Sequence, residues 1–205
     1  MTIDEGYIKY RSHWTRGPLP DPDTARTLET WRRPLFEAGL IGHYEELGVG
    51  YGNISVRCGD SDQFLISGTQ TGHVAKTDEH HYSLVTDYDI EANTVSCTGP
   101  VQASSEAMTH AAIYELDDGI GAIVHVHNDA LWKRYINVLP TTDASVPYGT
   151  PEMAMEFGRL YRESLLGQRG IAVMAGHEEG LVSIGSNLQQ AATRILGLLR
   201  EPGSR

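Results

Sequence analysis

His125 and His127 close an apolar run, Ala122-Ile123-Val124-His125-Val126-His127. Such a run predicts a buried strand, in which residues i and i+2 face the same way, so both imidazoles project together. Neutral imidazole is the commonest ligand for a borderline cation such as zinc, and two on one strand face supply two corners of a tetrahedron. Alone, the pair fits two ordinary strand histidines equally well, so its neighbours must decide. A catalytic zinc site keeps three protein ligands and one open position, which calls for a third ligand on another element. His177 is the candidate, because it follows the apolar run Ile171-Ala172-Val173-Met174 and so sits at a strand end. By itself it reads as a turn histidine. His110 lies four residues after Glu106 and pairs more naturally with it on one helix face, as a core or supporting group. His80 and His81 are adjacent and would point apart in a strand; His13, His43 and His73 lie in Gly-rich or terminal segments, and solvent is the simpler setting for most of the five.

Glu106 is the candidate general acid/base. It follows Pro100 and two serines at the start of a predicted helix, where free N–H groups stabilise negative charge. Ser-Ser-Glu is also an ordinary helix-capping pattern. Next to a cation, the same carboxylate can shuttle a proton. Two Gly-rich turns, Gly50-Tyr51-Gly52-Asn53-Ile54-Ser55 and Ser67-Gly68-Thr69-Gln70-Thr71-Gly72, combine close backbone approach with hydroxyl and amide donors. Each alone reads as hairpin chemistry. With Ser104 and Ser105 they form three donor clusters, fit to hold a phosphate or carboxylate.

The elements that must position these groups follow from the pattern. Residues 1–22, interrupted by Gly17, Pro18, Pro20 and Pro22, are expected to form an irregular N-terminal arm suited to packing on a partner subunit. A helix is predicted over 23–38 with a break at Pro34, capped by Asp23 or Thr24. Short strands are expected at 52–56, 63–67, 83–86 and 94–97, then a helix over 104–116 capped by Ser104 and Ser105. The His-x-His strand, a helix over 129–136, a loop through Pro140 and Pro147, a helix over 151–166, strands at 171–174 and 181–184 and a helix over 188–200 complete the chain. With 205 residues, a single domain spanning 1–205 suffices. A net charge of −11 argues against nonspecific nucleic-acid or anionic-membrane binding, since the summed field repels phosphates. Any anionic substrate must then meet a local cluster of donors. Two cysteines, Cys58 and Cys97, support neither a disulfide framework nor a zinc ribbon and fit a reducing cytoplasm. No stretch is long enough to span a membrane, and the polar N-terminus lacks an apolar leader core.

The order of these motifs resembles the class II aldolase/adducin family, whose sugar-phosphate members include fuculose-phosphate aldolase, ribulose-phosphate epimerase and methylthioribulose-phosphate dehydratase. The matching pieces run from about Leu35 to Leu199: Gly52-Asn53-Ile54-Ser55-Val56-Arg57, Leu65-Ile66-Ser67 leading to Thr71-Gly72, Ser104-Ser105-Glu106 with His110 and Tyr114, His125-Val126-His127, Pro147-Tyr148-Gly149-Thr150, and His177 before a closing helix. The resemblance implies an α/β fold, a three-layer α/β/α sandwich around a central, mostly antiparallel sheet, commonly assembled as a homotetramer with sites at subunit interfaces. It assigns the metal to His125, His127 and His177, acid/base chemistry to Glu106, and phosphate contacts to Gly52, Asn53, Thr71, Gly72, Ser104 and Ser105. The implied chemistry is retro-aldol cleavage of a small phosphorylated hydroxy-ketone. A divalent ion, zinc first and manganese, iron or cobalt next, stabilises the enediolate while Glu106 handles the proton at the neighbouring carbon. Epimerase members carry aspartate after the two serines, so Glu106 favours an aldolase; dehydratases and decarboxylases of the family share the glutamate.

Three departures bear on the substrate. The stretch between His127 and Tyr148 is shorter than in the sugar-phosphate aldolases, which place there a tyrosine that donates a proton across the subunit interface; here either that donor is missing or Tyr135 or Tyr148 replaces it. Glu178-Glu179-Gly180 follows His177 where those enzymes usually place glycine at once, putting two charges beside the metal or in solvent. The sequence given also ends soon after Arg200, without the tail that closes some family sites. Rival readings are a dehydratase or decarboxylase on the same scaffold, separable by products, and a non-catalytic adducin-head-like module, which need not keep three histidines and Glu106. A cupin is excluded by motif order, since its glutamate closely follows the His-x-His pair.

Overall fold

A computed structural model of the chain describes residues 6–200. Its centre is an eight-stranded sheet in the order β1-β7-β6-β5-β4-β8-β10-β9. The strands are β1 (Arg11–Arg16), β4 (Asn53–Arg57), β5 (Phe64–Ser67), β6 (Tyr82–Asp89), β7 (Thr94–Gly99), β8 (Ala122–His127), β9 (Ile171–Val173) and β10 (Gly180–Gly185), while β2 (Gly42–Tyr44) and β3 (Val49–Tyr51) form a separate hairpin. Every pairing within the large sheet is antiparallel except β1 with β7.

Strand alternation sorts the side chains into two cores, one on each face. Along β8, Ala122, Val124 and Val126 enter one core with α1 (Pro22–Glu37), α3 (Asp129–Tyr135) and α6 (Leu188–Leu198). Ile123 enters the other, with α2 (Ala107–Tyr114), α4 (Pro151–Glu163) and α5 (Leu166–Arg169). Helices on both faces of a mostly antiparallel sheet give the expected α/β/α sandwich. His125 and His127 share the parity of Ile123 and so face the α2/α4 side, at the end of the strand where the apolar core gives way to polar groups.

The N-terminal arm is a correction. Within the expected irregular segment 1–22, residues 11–16 form β1, paired in parallel with β7 from Arg11↔Thr94 to Arg16↔Gly99; residues 1–5 lie outside the described residues. Alternation is absent there because this edge strand is exposed at five of its six positions. Helix α1 starts earlier than expected, capped by the Asp21 carboxylate accepting from Thr24 N, and it runs through Pro34 without a break. A proline inside a helix costs about 3 kcal/mol. Fully buried Leu28 and Leu35, each contributing about 1.5–3 kcal/mol, offset it on either side. The hairpin β2–β3 was not expected: its Gly-rich sequence carries no alternation, and it rests instead on its contacts with the Gly-rich turns. A Cβ on Gly72 would stand 2.0 Å from Gly42 O, so only glycine fits there.

Candidate functional site

The three histidines meet. His125 and His127 project from β8, and His177 comes from the β9–β10 turn, which antiparallel pairing of β10 with β8 brings alongside. Their ligating nitrogens lie within 4.8 Å of one another, and all three residues are at most 4% exposed. The His177 ring stacks between His125 at 5.1 Å and Tyr148 at 4.3 Å. His125 Nδ1 lies 3.1 Å from Leu181 O, a carbonyl that can only accept, so Nδ1 carries the proton and Nε2 the lone pair. That lone pair points at His127 Nε2, 3.1 Å away. Burial, with the neighbouring histidines second, holds both His125 and His127 well below the ordinary histidine range, so neither offers a second proton at neutral pH. Three imidazoles converging in a buried place are the donor set that a borderline divalent cation takes, and the residues present fit one.

Glu106 faces the same point. It is 2% exposed and sits at the N-cap of α2, and its Oε1 lies 3.6 Å from His177 Nδ1. Its backbone (φ −92°, ψ 5°) lies in the sparsely populated bridge region, where active-site residues are often found. The expected serine caps are absent. Glu106 itself occupies the cap with no side-chain cap bond, and Ser104 Oγ instead accepts from Glu106 N at 3.3 Å. The carboxylate is turned to the histidines rather than to the helix end.

From Glu106 a shallow pocket extends between the Gly-rich turns, and all six expected phosphate contacts, Gly52, Asn53, Thr71, Gly72, Ser104 and Ser105, line it. Register explains the adjacency. Asn53 on β4 is directly opposite His125 on β8, so pocket and histidine cluster are neighbours on one sheet face. Gly52 takes φ +73°, turning the chain from β3 into β4 where a Cβ would meet Leu40 O at 3.0 Å. Asn53 Oδ1 is buried without a hydrogen bond, as is suitable for a group awaiting a ligand donor.

Other residues that shape the site escaped the sequence pattern. Arg32, 1% exposed, donates from Nη2 to Thr71 O at 3.1 Å and Gly72 O at 3.3 Å, anchoring the turn from behind. A lone arginine on a helix gives no sequence signal of this. Gln70, in the left-handed region at φ +58°, accepts from Gly50 N and ties the two Gly-rich turns together. Tyr10 donates to Ser104 O at 2.9 Å, so the N-terminal segment braces the serine pair. Tyr44 reaches both His127 and Glu179, whereas Glu178 is exposed. His110 is fully buried against Ser55 Oγ at 2.7 Å, a core group as expected. His80 and His81 surround Asp78 in an exposed capping turn, away from the cluster. Tyr148 stacks on His177, while Tyr135 packs into the core on the opposite face.

Residues 38–200 match the profile of the Class II Aldolase and Adducin N-terminal domain. The chain belongs to that family. Solved class II aldolase structures share the fold. L-Fuculose-1-phosphate aldolase from Thermus thermophilus superposes with a TM-score of 0.62 at 20% identity, over 85% of this chain and 88% of that one. A sugar-phosphate aldolase from Thermotoga maritima gives 0.65 at 18%, over 86% and 90%. L-Fuculose 1-phosphate aldolase from Glaciozyma antarctica gives 0.55 at 18%, over 86% and 70%. No curated protein matches the sequence. At these identities the neighbours speak for the class II aldolase fold alone. Among the described residues, no helix is long and apolar enough to cross a membrane.

Proposed function

We propose that this protein is a metal-dependent aldehyde-lyase of the class II aldolase type, cleaving a C–C bond in a small phosphorylated hydroxy-ketone. The observation that carries the reading is the convergence of three buried imidazoles beside the Glu106 carboxylate. His125, His127 and His177 are the residues that would hold the cation, with zinc first and manganese, iron or cobalt also suited to nitrogen donors. When bound, the ion supplies Lewis-acid stabilisation of the negative charge that develops on the substrate's oxygen as the C–C bond breaks. Glu106 exchanges a proton with the carbon next to that oxygen. Gly52, Asn53, Thr71, Gly72, Ser104 and Ser105 grip the phosphate through neutral donors at the far end of the pocket, which fixes the reacting end against Glu106. Tyr148, already against His177, serves the hydroxyl that becomes the aldehyde, giving its proton to that oxygen in the bond-forming direction and recovering it in cleavage. Cytoplasmic carbohydrate metabolism is the setting that suits such a substrate, and a homotetramer, as in the family resemblance, is the proposed assembly.

The test is elemental analysis of the purified protein, followed by a screen of ketose phosphates for aldehyde release. Water or carbon dioxide loss in its place assigns the protein to the dehydratase or decarboxylase alternative. His125→Ala is expected to lose metal and activity together. Normal zinc binding by that variant would remove the ligand assignment.

A further inference from the structure

The residues behind His127 differ in kind from those behind His125. His127 Nδ1 lies 3.2 Å from the Tyr44 hydroxyl, and that hydroxyl donates to Glu179 Oε2 at 2.5 Å. A phenol has one proton, and a carboxylate can only accept. With its proton directed at Glu179, the Tyr44 oxygen is left to accept from His127 Nδ1–H. A neutral imidazole protonated at Nδ1 carries its lone pair on Nε2, which faces His125 Nε2. Two lone pairs then oppose each other across 3.1 Å with no proton between them, and a cation is what relieves that repulsion.

We propose that Tyr44 and Glu179 are positioning residues, a relay that fixes His127 as an Nε2 donor and, through the carboxylate, strengthens its hold on the cation. The inference rests on the cation reading of the histidine cluster. The local backbone supports it independently. Glu179 lies in the left-handed region at φ +67°, uncommon and strained for a residue with a side chain. Its own carbonyl is pinned by Asn128 N at 2.9 Å, directly after the His-x-His strand, so the carboxylate leaves a turn whose direction is fixed. Tyr44 ends β2, where antiparallel pairing with Val49 and ring contact with Tyr51 at 4.5 Å set its position. A strained conformation that glycine would relieve is here occupied by a residue whose charge reaches a histidine of the cluster through a phenol. Outer partners of this kind orient the imidazole and raise its basicity, and losing one weakens metal binding by about 10–100-fold.

The experiment measures the zinc affinity of the metal-free full chain against a chromophoric chelator, and the visible spectrum of its cobalt form. Tyr44→Phe and Glu179→Gln are each expected to bind zinc about 10–100-fold more weakly. The double variant should bind no more weakly than Tyr44→Phe, because Glu179 reaches the ligand only through the phenol. Glu178→Gln should match the unaltered protein. The cobalt bands of Tyr44→Phe should shift in position or intensity, while the metal-free thermal midpoint falls by no more than the roughly 2–4 °C of one lost hydrogen bond. Full zinc affinity in Tyr44→Phe and Glu179→Gln, alongside loss in His127→Ala, overturns the relay and leaves the cation reading standing. Full affinity in His127→Ala as well overturns both. Weak binding accompanied by a large drop in the metal-free midpoint assigns the pair a structural role and also overturns the relay.

Discussion

A carboxylate and a hydrogen-bonded imidazole fail differently when altered. Glu106→Gln keeps shape and hydrogen-bonding capacity but cannot take a proton, so kcat should fall by about 10²–10⁴-fold while most of the bound metal stays. Steady-state kinetics and elemental analysis on one preparation separate those effects; loss of metal from Glu106→Gln would make the carboxylate a ligand first. His110 shows the other face of burial. Desolvation pushes it down to about 3, so the folded protein keeps it neutral where the unfolded chain, titrating near 6.5, takes up a proton. Its contribution is complete above the unfolded value and is lost as pH falls from there toward about 3, at up to about 1.4 kcal/mol per pH unit. Urea unfolding between pH 7 and pH 4 should therefore show a shallower acid loss for His110→Gln than for the unaltered protein. Parallel curves would mean that His110 does not stay neutral when folded.

Turns, rather than helices or strands, hold the pocket together. Gly72 packs its Cα side against backbone, with Gly42 O 2.0 Å and Gly50 Cα 3.1 Å from a built Cβ, so Gly72→Ala has no flexible neighbour to push aside. We expect about 1–3 kcal/mol of destabilisation and loss of phosphate binding, read by urea unfolding and by calorimetric titration with inorganic phosphate. Gly48→Ala is the comparison. It sits at φ +67° with open space around it, and its cost of roughly 1–2 kcal/mol is one of conformation that should leave phosphate binding intact. Equal phosphate affinity in both variants would mean that the 67–72 turn does not contact the anion.

At the scale of the whole molecule, charge and sheet order dominate. A net charge of −11 surrounds a pocket whose lining supplies neutral donors and one carboxylate, Glu106. The phosphorylated substrate proposed above would approach against that field, and added salt screens it. Raising ionic strength from about 0.01 M to 0.15 M, where the Debye length shortens from roughly 30 to 8 Å, should raise kcat/KM for an anionic substrate. A steep fall with salt would instead reveal attractive steering by a cationic surface. Sheet order, meanwhile, is what makes a site at all: β8 has β4 on one side and β10 on the other, which brings Asn53 and the His177 turn to flank the same two imidazoles.

Much of this was legible in residue order. Alternation in 122–127 fixed a shared face for His125 and His127, punctuation by glycine and proline placed most strands and helices within a few residues, and the ordered motifs pointed to the α/β/α architecture. Those signals are local, since strand parity and turn chemistry depend on neighbours in the chain. What tertiary structure decided depends on partners far apart in sequence. Packing of Leu28 and Leu35 carries α1 past Pro34, and hydrogen bonding to β7 orders residues 11–16, which lack a pattern of their own. The convergence of His177 and Glu106 is a consequence of strand pairing, and the Tyr44–Glu179 link spans 135 residues. Hydrogen bonds of that span are set by where the sheet brings two segments, and neither segment carries the other's position in its composition.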